Sequence, residues 1–341
     1  MHSTITNEVA LLLQINNKIC ATQYHIQGAG GNISVKVCDN NMLIKPSGVL
    51  LNNVLTASDM VSVNYRHIKN ELTKESFDVL DNDDIIGIDT LYAQYALDGK
   101  RPSMETGFHC LLYKYVVHTH NVYANVLLCS SHYHLLETCL SSTEAYTVCM
   151  LKDYYTPGTV LSWHIYNTNR YYETMPNVIL LPNHGIIYSS NSAAELDTII
   201  TDVQQRIDNV LQLNNKAYPQ FTITNNIEQG YTVYCNYLFE VWSTIPWHII
   251  HQELLFPDQA IYILPNTLGL HNDAIIKIDI AAKCMYSILN HKALTAIIEI
   301  VLAYYVLQHT MYNKGYEPLT INYAWDTLRT MPSEQYRINL K

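Results

Sequence analysis

The sequence lacks a Cys-x-x-Cys pair, a run of like charges and a long uncharged apolar segment. Its eight scattered cysteines favour reduced thiols over a disulfide framework or a thiolate zinc site. Charged residues make up only 15% of the chain and the net charge is -10, so we expect no nucleic-acid and no membrane partner. Met1 to Cys20 has no basic n-region, which predicts a helix rather than a signal peptide. These absences favour a cytoplasmic location.

Strand and helix patterns alternate along the 341 residues, which indicates an α/β chain. A polar stretch at 214–218 predicts a linker, so we divide the chain into a first domain, 1–215, and a C-terminal extension, 216–341. The extension shows three strand patterns, at Tyr231–Tyr234, Ala260–Ile263 and Ala274–Ile278. It also shows two helical patterns, at Ile280–Leu289 and Ala293–Gln308. The second contains Glu299 and is too short to span a membrane comfortably, so we predict a buried helix.

Two histidines separated by one residue lie in the strand pattern Val116–His120. Residues two apart on a strand point to the same face, so His118 and His120 present adjacent imidazoles. Neutral imidazoles are zinc ligands, yet in a chain with 15 histidines such a triplet also arises as ordinary core or surface residues. The pair therefore needs further ligands to become a metal site.

His184 and Glu105 are the candidates for completing that site. His184 ends an apolar strand and precedes Gly185, which we interpret as allowing a turn that points the ring into a cleft. Glu105 begins the helix that leads into the histidine strand, where it is a metal ligand, a general base or a favourable charge at a helix N-terminus. Three histidines with an open coordination position are typical of catalytic zinc.

Three loops have the composition of an anion site. The glycine-rich turn 28–32 offers backbone N–H groups, Ser47 and Gly48 follow the second strand, and Ser103 precedes Glu105. Lys45 and Arg101 are the basic residues beside these loops. A tight turn and a helix cap are the alternative interpretations of the first and third loops.

Taken in order, these segments resemble the class II aldolase/adducin family over roughly residues 5 to 213. The resemblance is carried by Gly30–Ser34, Lys45–Gly48, Pro102–Glu105, His118–His120, Pro157-Gly158 with Leu161, and Asn183–Gly185. It implies a three-layer α/β/α fold around a central, largely antiparallel sheet, assembled as a homotetramer. One departure is Met104, where sugar 1-phosphate aldolases often have a second serine.

The family resemblance also implies a function and its residues. It implies one Zn²⁺ per subunit on His118, His120 and His184, and Glu105 as the proton-transferring residue. A sugar phosphate would be held by Gly31, Asn32, Ser47, Gly48 and Ser103. The predicted reaction is retro-aldol cleavage of a ketose phosphate to dihydroxyacetone phosphate and an aldehyde through an enediolate.

Three other functions are compatible with the same pattern. A zinc-dependent dehydratase of the methylthioribulose-phosphate type shares the His-Thr-His arrangement, and an epimerase would repeat the retro-aldol step and re-add the aldehyde. Adducin-like members that have lost the metal ligands serve as scaffolds. The three histidines and Glu105 are all present in this chain, which favours an enzyme.

Overall fold

The computed structural model describes residues 2–74, 92–170, 174–213, 217–226 and 230–331, and its larger sheet has seven strands. These strands, in chain order, are β1 (Asn32–Lys36), β2 (Asn41–Ile44), β3 (Val61–Asn64), β4 (Tyr115–Thr119), β5 (Val148–Met150), β6 (Val178–Leu181) and β7 (Gly185–Ser190). Their order across the sheet is β3-β2-β1-β4-β7-β6-β5. Only β5 and β6 pair in parallel, so the predicted, largely antiparallel sheet is confirmed.

Helices cover both faces of this sheet. They are α1 (His2–Cys20), α2 (Tyr65–Leu72), α3 (Thr106–Leu111), α4 (Val122–Leu128), α5 (Tyr133–Leu140), α6 (Thr159–Asn169) and α7 (Ala193–Leu211). Successive side chains of β4 point to opposite faces, as the pleat requires. Val117 is buried among residues of α1, α4 and α7, and Val116 among residues of α3 and α6. The predicted three-layer α/β/α architecture is therefore confirmed.

The C-terminal part contains a second sheet of five strands in the order β10-β11-β12-β9-β8. The strands are β8 (Thr222–Asn226), β9 (Gly230–Tyr234), β10 (Leu268–Gly269), β11 (Ile276–Asp279) and β12 (Cys284–Ser287). The helices are α8 (Asn236–Val241), α9 (Pro257–Tyr262), α10 (His291–Lys314) and α11 (Trp325–Thr330). The predicted linker at 214–218 falls partly on residues outside the described ranges.

Two secondary-structure predictions for the C-terminal part are wrong. The apolar run Ala260–Ile263, predicted as a strand, belongs mostly to α9, because Pro257 occupies the first helical turn, where its fixed φ favours a helix. The predicted helix Ile280–Leu289 is instead a tight turn followed by β12. Lys283 takes a left-handed conformation, φ 50°, which reverses the chain so that β12 pairs antiparallel with β11.

Helix α10 is the one described helix that is long and apolar enough to cross a membrane by length and composition. However, 72% of its most apolar window is buried inside the protein, where it packs against α4. Its burial agrees with the interpretation of Ala293–Gln308 as a core helix. This contact also joins the C-terminal part to a helix that begins immediately after the histidine strand.

Candidate functional site

Strand β4 carries the first two histidines of the candidate site. His118 lies within the strand and pairs with Asn32 of β1, and His120 follows one residue after the strand ends. Their Nε2 atoms are 3.1 Å apart. Two nitrogens bound to one tetrahedral zinc ion at about 2.0–2.1 Å would lie about 3.3 Å apart. The observed spacing therefore fits a shared ion.

His184 joins this pair from the tight turn between β6 and β7. Asn183 takes a left-handed conformation, φ 55°, and the turn returns the chain as β7 alongside β4. The His184 ring centroid is 4.9 Å from that of His118 and 5.0 Å from that of His120. One ligand atom from each of the three side chains lies within 4.8 Å of the others, so the structure brings the three predicted histidines together.

Gly185 is required for a different reason from the one the sequence suggested. Its φ is not positive, so it does not serve as a turn glycine. A Cβ at this position would instead overlap the carbonyl oxygen of Thr119, the last residue of β4. The missing side chain lets β7 approach β4 closely beside the histidine cluster, and this approach places His184.

The far nitrogens of two rings are anchored, which sets the direction of their Nε2 lone pairs. His118 Nδ1 lies 3.0 Å from the Ile186 carbonyl oxygen, and His120 Nδ1 lies 2.5 Å from Asp258 Oδ2. Because an acceptor on Nδ1 selects the tautomer with the proton there, Nε2 is left as a ligand atom. Burial, followed by the charges of His120 and His184, holds the pKa of His118 well below its ordinary value. The neutral imidazole is the form that binds metals.

Glu105 lies beside the histidine cluster at the N-terminus of α3. Its Oε2 is 3.8 Å from His118 Nε2, and its Oε1 is 3.5 Å from His184 Nε2. The Asn32 side-chain amide donates to Oε2 at 2.5 Å, and the backbone N–H of Glu105 donates to Ser103 Oγ at 3.2 Å. These contacts aim the carboxylate at the space that the imidazoles share, where it can act as a ligand or transfer a proton.

The loops predicted to hold an anion are neighbours. The Ser47 N–H donates to the Arg101 carbonyl at 3.0 Å, and the Ser103 N–H donates to the Lys45 carbonyl at 3.3 Å. Gly48 follows with φ 72°. Gly31, with φ 68°, leads into Asn32, and a Cβ on it would lie 2.9 Å from the His118 carbonyl oxygen. The loops that carry Ser47 and Ser103 therefore adjoin each other, and Asn32 and Ser103 contact Glu105 directly.

Part of the glycine-rich turn is committed to contacts within the protein. The Gly28 N–H donates to Glu299 Oε2 at 2.7 Å, and the Ala29 N–H donates to the Tyr262 hydroxyl at 3.2 Å. The Gly30 N–H donates to a backbone carbonyl at 3.1 Å. These three donors do not face an open anion site, which restricts the predicted anion contacts of this turn to Gly31 and Asn32.

Lys45 is not an exposed basic residue beside the anion loops. Its side chain is 2% exposed, and its ammonium donates to the carbonyls of Ala29 at 2.9 Å and Val49 at 2.8 Å. The lysine therefore ties the glycine-rich turn to the loop after β2. Lys45 is not placed to contact an anion directly, so Arg101 is the exposed basic residue of the two beside these loops.

The C-terminal part contacts the site at points that the sequence did not predict. Asp258 of α9 reaches His120 across a separation of 138 residues. The Asn183 side chain donates to the carbonyls of Leu255 at 2.9 Å and Leu319 at 2.7 Å, which holds the turn that carries His184. Pro257 in the first turn of α9 is a local helix signal, but it does not indicate what Asp258 contacts.

The chain is similar to a known protein family and to a known enzyme. A family model described as the Class II Aldolase and Adducin N-terminal domain matches residues 11–204. The 3-oxo-tetronate 4-phosphate decarboxylase of Haemophilus influenzae is 25% identical over 224 residues, which are 62% of this chain and 86% of that protein.

Solved structures of class II aldolases are also similar to this chain. The N-terminal class II aldolase domain of a conserved protein from Thermoplasma acidophilum is 18% identical, with a TM-score of 0.50 over 60% of this chain and 93% of that chain. An L-fuculose 1-phosphate aldolase is 21% identical, with a TM-score of 0.41 over 62% of this chain and 87% of that chain. Because the family model spans more than half of the sequence, the chain belongs to the class II aldolase and adducin family.

Proposed function

We propose that this protein is a zinc-dependent lyase that cleaves a ketose phosphate by a retro-aldol reaction. The products would be dihydroxyacetone phosphate and an aldehyde, formed through an enediolate. One observation carries the proposal: three imidazoles and the Glu105 carboxylate, from separate parts of the sequence, converge in one buried site. A scaffold protein has no need for this convergence.

The histidine cluster fits a catalytic divalent ion rather than a closed structural one. It offers three protein ligands, which leaves a coordination position for substrate. When bound, such an ion supplies Lewis-acid stabilisation of the negative charge that develops on substrate oxygens. We propose one Zn²⁺ per subunit, because imidazole nitrogens without thiolates are ligands that zinc takes readily.

Glu105 is the residue that we propose transfers the proton. Breaking the C3–C4 bond of a ketose 1-phosphate leaves the bonding electrons on C3 and the carbonyl oxygen, and the C4 hydroxyl passes its proton to the Glu105 carboxylate as the aldehyde forms. Protonated Glu105 can then donate to C3 and complete dihydroxyacetone phosphate. The Asn32 amide, 2.5 Å from Glu105 Oε2, holds the carboxyl group in place for this transfer.

The predicted anion loops would bind the substrate phosphate. Ser103 and Asn32 contact Glu105, Ser47 and Gly48 lie on the loop that adjoins Ser103, and Gly31 directly precedes Asn32. The buried Asn32 Oδ1 has no hydrogen-bond partner among the described residues, so it is an acceptor for a substrate hydroxyl. A phosphate held at one end and hydroxyls bound beside Glu105 define a sugar-phosphate ligand.

Decarboxylation is the second candidate reaction, and the Haemophilus influenzae relative favours it. Loss of CO₂ from a 3-oxo-tetronate 4-phosphate leaves its electrons on the same two-carbon unit. The resulting enediolate is the one produced by retro-aldol cleavage of a ketose 1-phosphate. The same site therefore serves either reaction, and the group that leaves distinguishes them. Dehydration and epimerisation remain alternatives because they also begin at a carbon next to a carbonyl.

Product analysis decides between these reactions. Protein purified without added metal is first analysed for bound zinc, with one ion per chain expected, and then incubated with ketose 1-phosphates and 3-oxo-tetronate 4-phosphates. Aldehyde together with dihydroxyacetone phosphate supports the aldolase, and CO₂ together with dihydroxyacetone phosphate supports the decarboxylase. A diketone would indicate a dehydratase. Wild-type protein without bound metal, and inactive after zinc addition, would contradict the proposal and favour a scaffold.

We also propose that the protein assembles as a homotetramer, as its family resemblance implies. Light scattering coupled to size exclusion would then give a mass near four times that of the 39.1 kDa chain. A monomeric mass would contradict this part of the proposal without affecting the assignment of Glu105 and the three histidines.

A further inference from the structure

We propose that Asp258, contributed by the C-terminal part, is a positioning residue of the metal centre. Its carboxylate fixes the orientation and tautomer of the His120 ring and thereby sets metal affinity. This inference rests on the proposed function only in requiring that the three histidines bind a divalent ion. It assigns a role in the metal centre to the region that follows residues 11–204, the segment that the family model matches.

The contact between Asp258 and His120 is short and shielded from water. Asp258 Oδ2 lies 2.5 Å from His120 Nδ1, and the two residues are 1% and 5% exposed. Gly30 makes room for the pair, since a Cβ on it would lie 2.6 Å from His120 Nδ1 and 2.7 Å from Asp258 Oδ2. Three separate segments are therefore shaped around this one contact.

The backbone around Asp258 is held in place by its neighbour Gln259. The Gln259 side chain accepts from the Leu255 N–H at 2.9 Å, and it donates to the carbonyls of Ile250 at 2.7 Å and Glu253 at 2.5 Å. These bonds fix the chain where α9 begins. Asp258 is therefore already in position before metal binds.

A carboxylate on Nδ1 changes the ligand chemistry of the opposite nitrogen. It keeps the proton on Nδ1, leaves the Nε2 lone pair directed at the shared space, and raises the basicity of that lone pair. His118 is anchored by a neutral backbone carbonyl, that of Ile186, so the two rings are held differently. His120 is thus the ligand whose electron donation depends on the C-terminal part.

Zinc affinity tests the inference. Metal is removed from wild type, Asp258→Ala and Asp258→Asn, and zinc is titrated in competition with a chromophoric chelator. We expect about 10–100-fold weaker binding for Asp258→Ala, the range typical of lost outer contacts to a ligand histidine. Asp258→Asn keeps the shape and an acceptor oxygen but not the charge, so its zinc affinity should lie between those of wild type and Asp258→Ala.

Controls separate this role from a structural one. Asp326→Asn changes an exposed aspartate of the same C-terminal part and should bind zinc as wild type does. Thermal unfolding of the metal-free proteins shows whether Asp258→Asn remains folded. Wild-type affinity in both Asp258 variants would overturn this inference alone. A wild-type protein that binds no zinc would overturn it together with the proposed function.

Discussion

The two parts of the molecule contribute to the site in different ways. The part built on the seven-stranded sheet supplies all the groups proposed to contact metal or substrate, and β4 and the β6–β7 turn place the three histidines. The C-terminal part supplies residues that hold those groups, or the turns that carry them, in place. Asp258 holds His120, the loops at Leu255 and Leu319 hold Asn183, and Tyr262 and Glu299 hold the glycine-rich turn.

This difference separates chemistry from support. A change at one of the catalytic or ligating residues of the sheet part should remove a group that the reaction needs, whereas a change at a residue that supports the site should alter the affinity or stability of a site that still contains every such group. The comparison fails if variants in the two parts have the same effects. Four variants test this division, and their expected effects range from a large loss of activity to a small change in the pH dependence of stability.

Glu105→Gln should abolish most activity while the zinc content stays near that of wild type. The amide cannot transfer a proton, and a positioned general acid or base contributes about 10²–10⁴-fold to the rate. Turnover is measured with whichever phosphate substrate the wild type converts. Glu144→Gln, on an exposed loop, is the matched control. Loss of bound zinc in Glu105→Gln would instead identify Glu105 as a metal ligand.

Met104→Ala should destabilise the fold without weakening zinc binding. Met104 is 5% exposed and packs with Leu254, Ala260 and Leu328 of the C-terminal part. Truncation of a buried methionine costs about 2–5 kcal/mol of unfolding free energy. Urea denaturation measures this loss. Leu55→Ala, at a leucine that is 64% exposed, is the control and should be nearly neutral.

A small loss of unfolding free energy in Met104→Ala would show that this contact between the two parts contributes little to stability. A tenfold loss of zinc affinity in the same variant would show that this contact also positions the metal ligands.

Gly185→Ala should lower both stability and zinc affinity. The added Cβ overlaps the Thr119 carbonyl and separates β7 from β4 next to His184. Overpacking of this kind costs about 1–3 kcal/mol. Gly315→Ala provides the comparison, because its positive φ, 67°, strains the backbone while a Cβ there meets nothing within 4 Å. That variant should lose stability only. Normal zinc affinity in Gly185→Ala would show that His184 does not depend on the close approach.

The same comparison explains how much of the site the sequence could predict. His118, His120, His184 and Glu105 each lie in a local pattern, at a strand, a strand end or a helix start, and such patterns are visible in one segment. The need for Gly185 was misinterpreted because it arises from the pairing of β4 with β7, which no local pattern contains. Asp258 was missed for the same reason, since its partner is 138 residues away.

The C-terminal part was harder to predict because its elements are short. An apolar run of four residues fits a strand or a buried helix equally, and Ala260–Ile263 was assigned to the wrong one. The hairpin of β11 and β12 depends on Lys283 in a left-handed conformation, which a lysine adopts rarely and no composition signal marks.

Glu299→Gln should change how stability depends on pH, and by the smallest amount of the four. Glu299 of α10 accepts the Gly28 N–H at 2.7 Å, and burial raises its pKa from 4.5 to about 7. Its pKa is higher in the folded than in the unfolded chain, so the protonated form stabilises the fold. That contribution is fully present below pH 4.5 and is lost as the pH rises through about 7.

Chemical denaturation of wild type and Glu299→Gln at pH 5, 6, 7 and 8 measures the effect. Glutamine keeps an acceptor for the Gly28 N–H but does not ionise, so the variant should gain about 2 kcal/mol relative to wild type between pH 5 and 8. His291 and Lys292 line the same cavity and are common to both proteins, so the difference between the two proteins isolates Glu299. A difference independent of pH would show that the contact of α10 with the glycine-rich turn leaves Glu299 charged throughout this range. The C-terminal part would then hold that turn through a fixed charge rather than a neutral carboxyl.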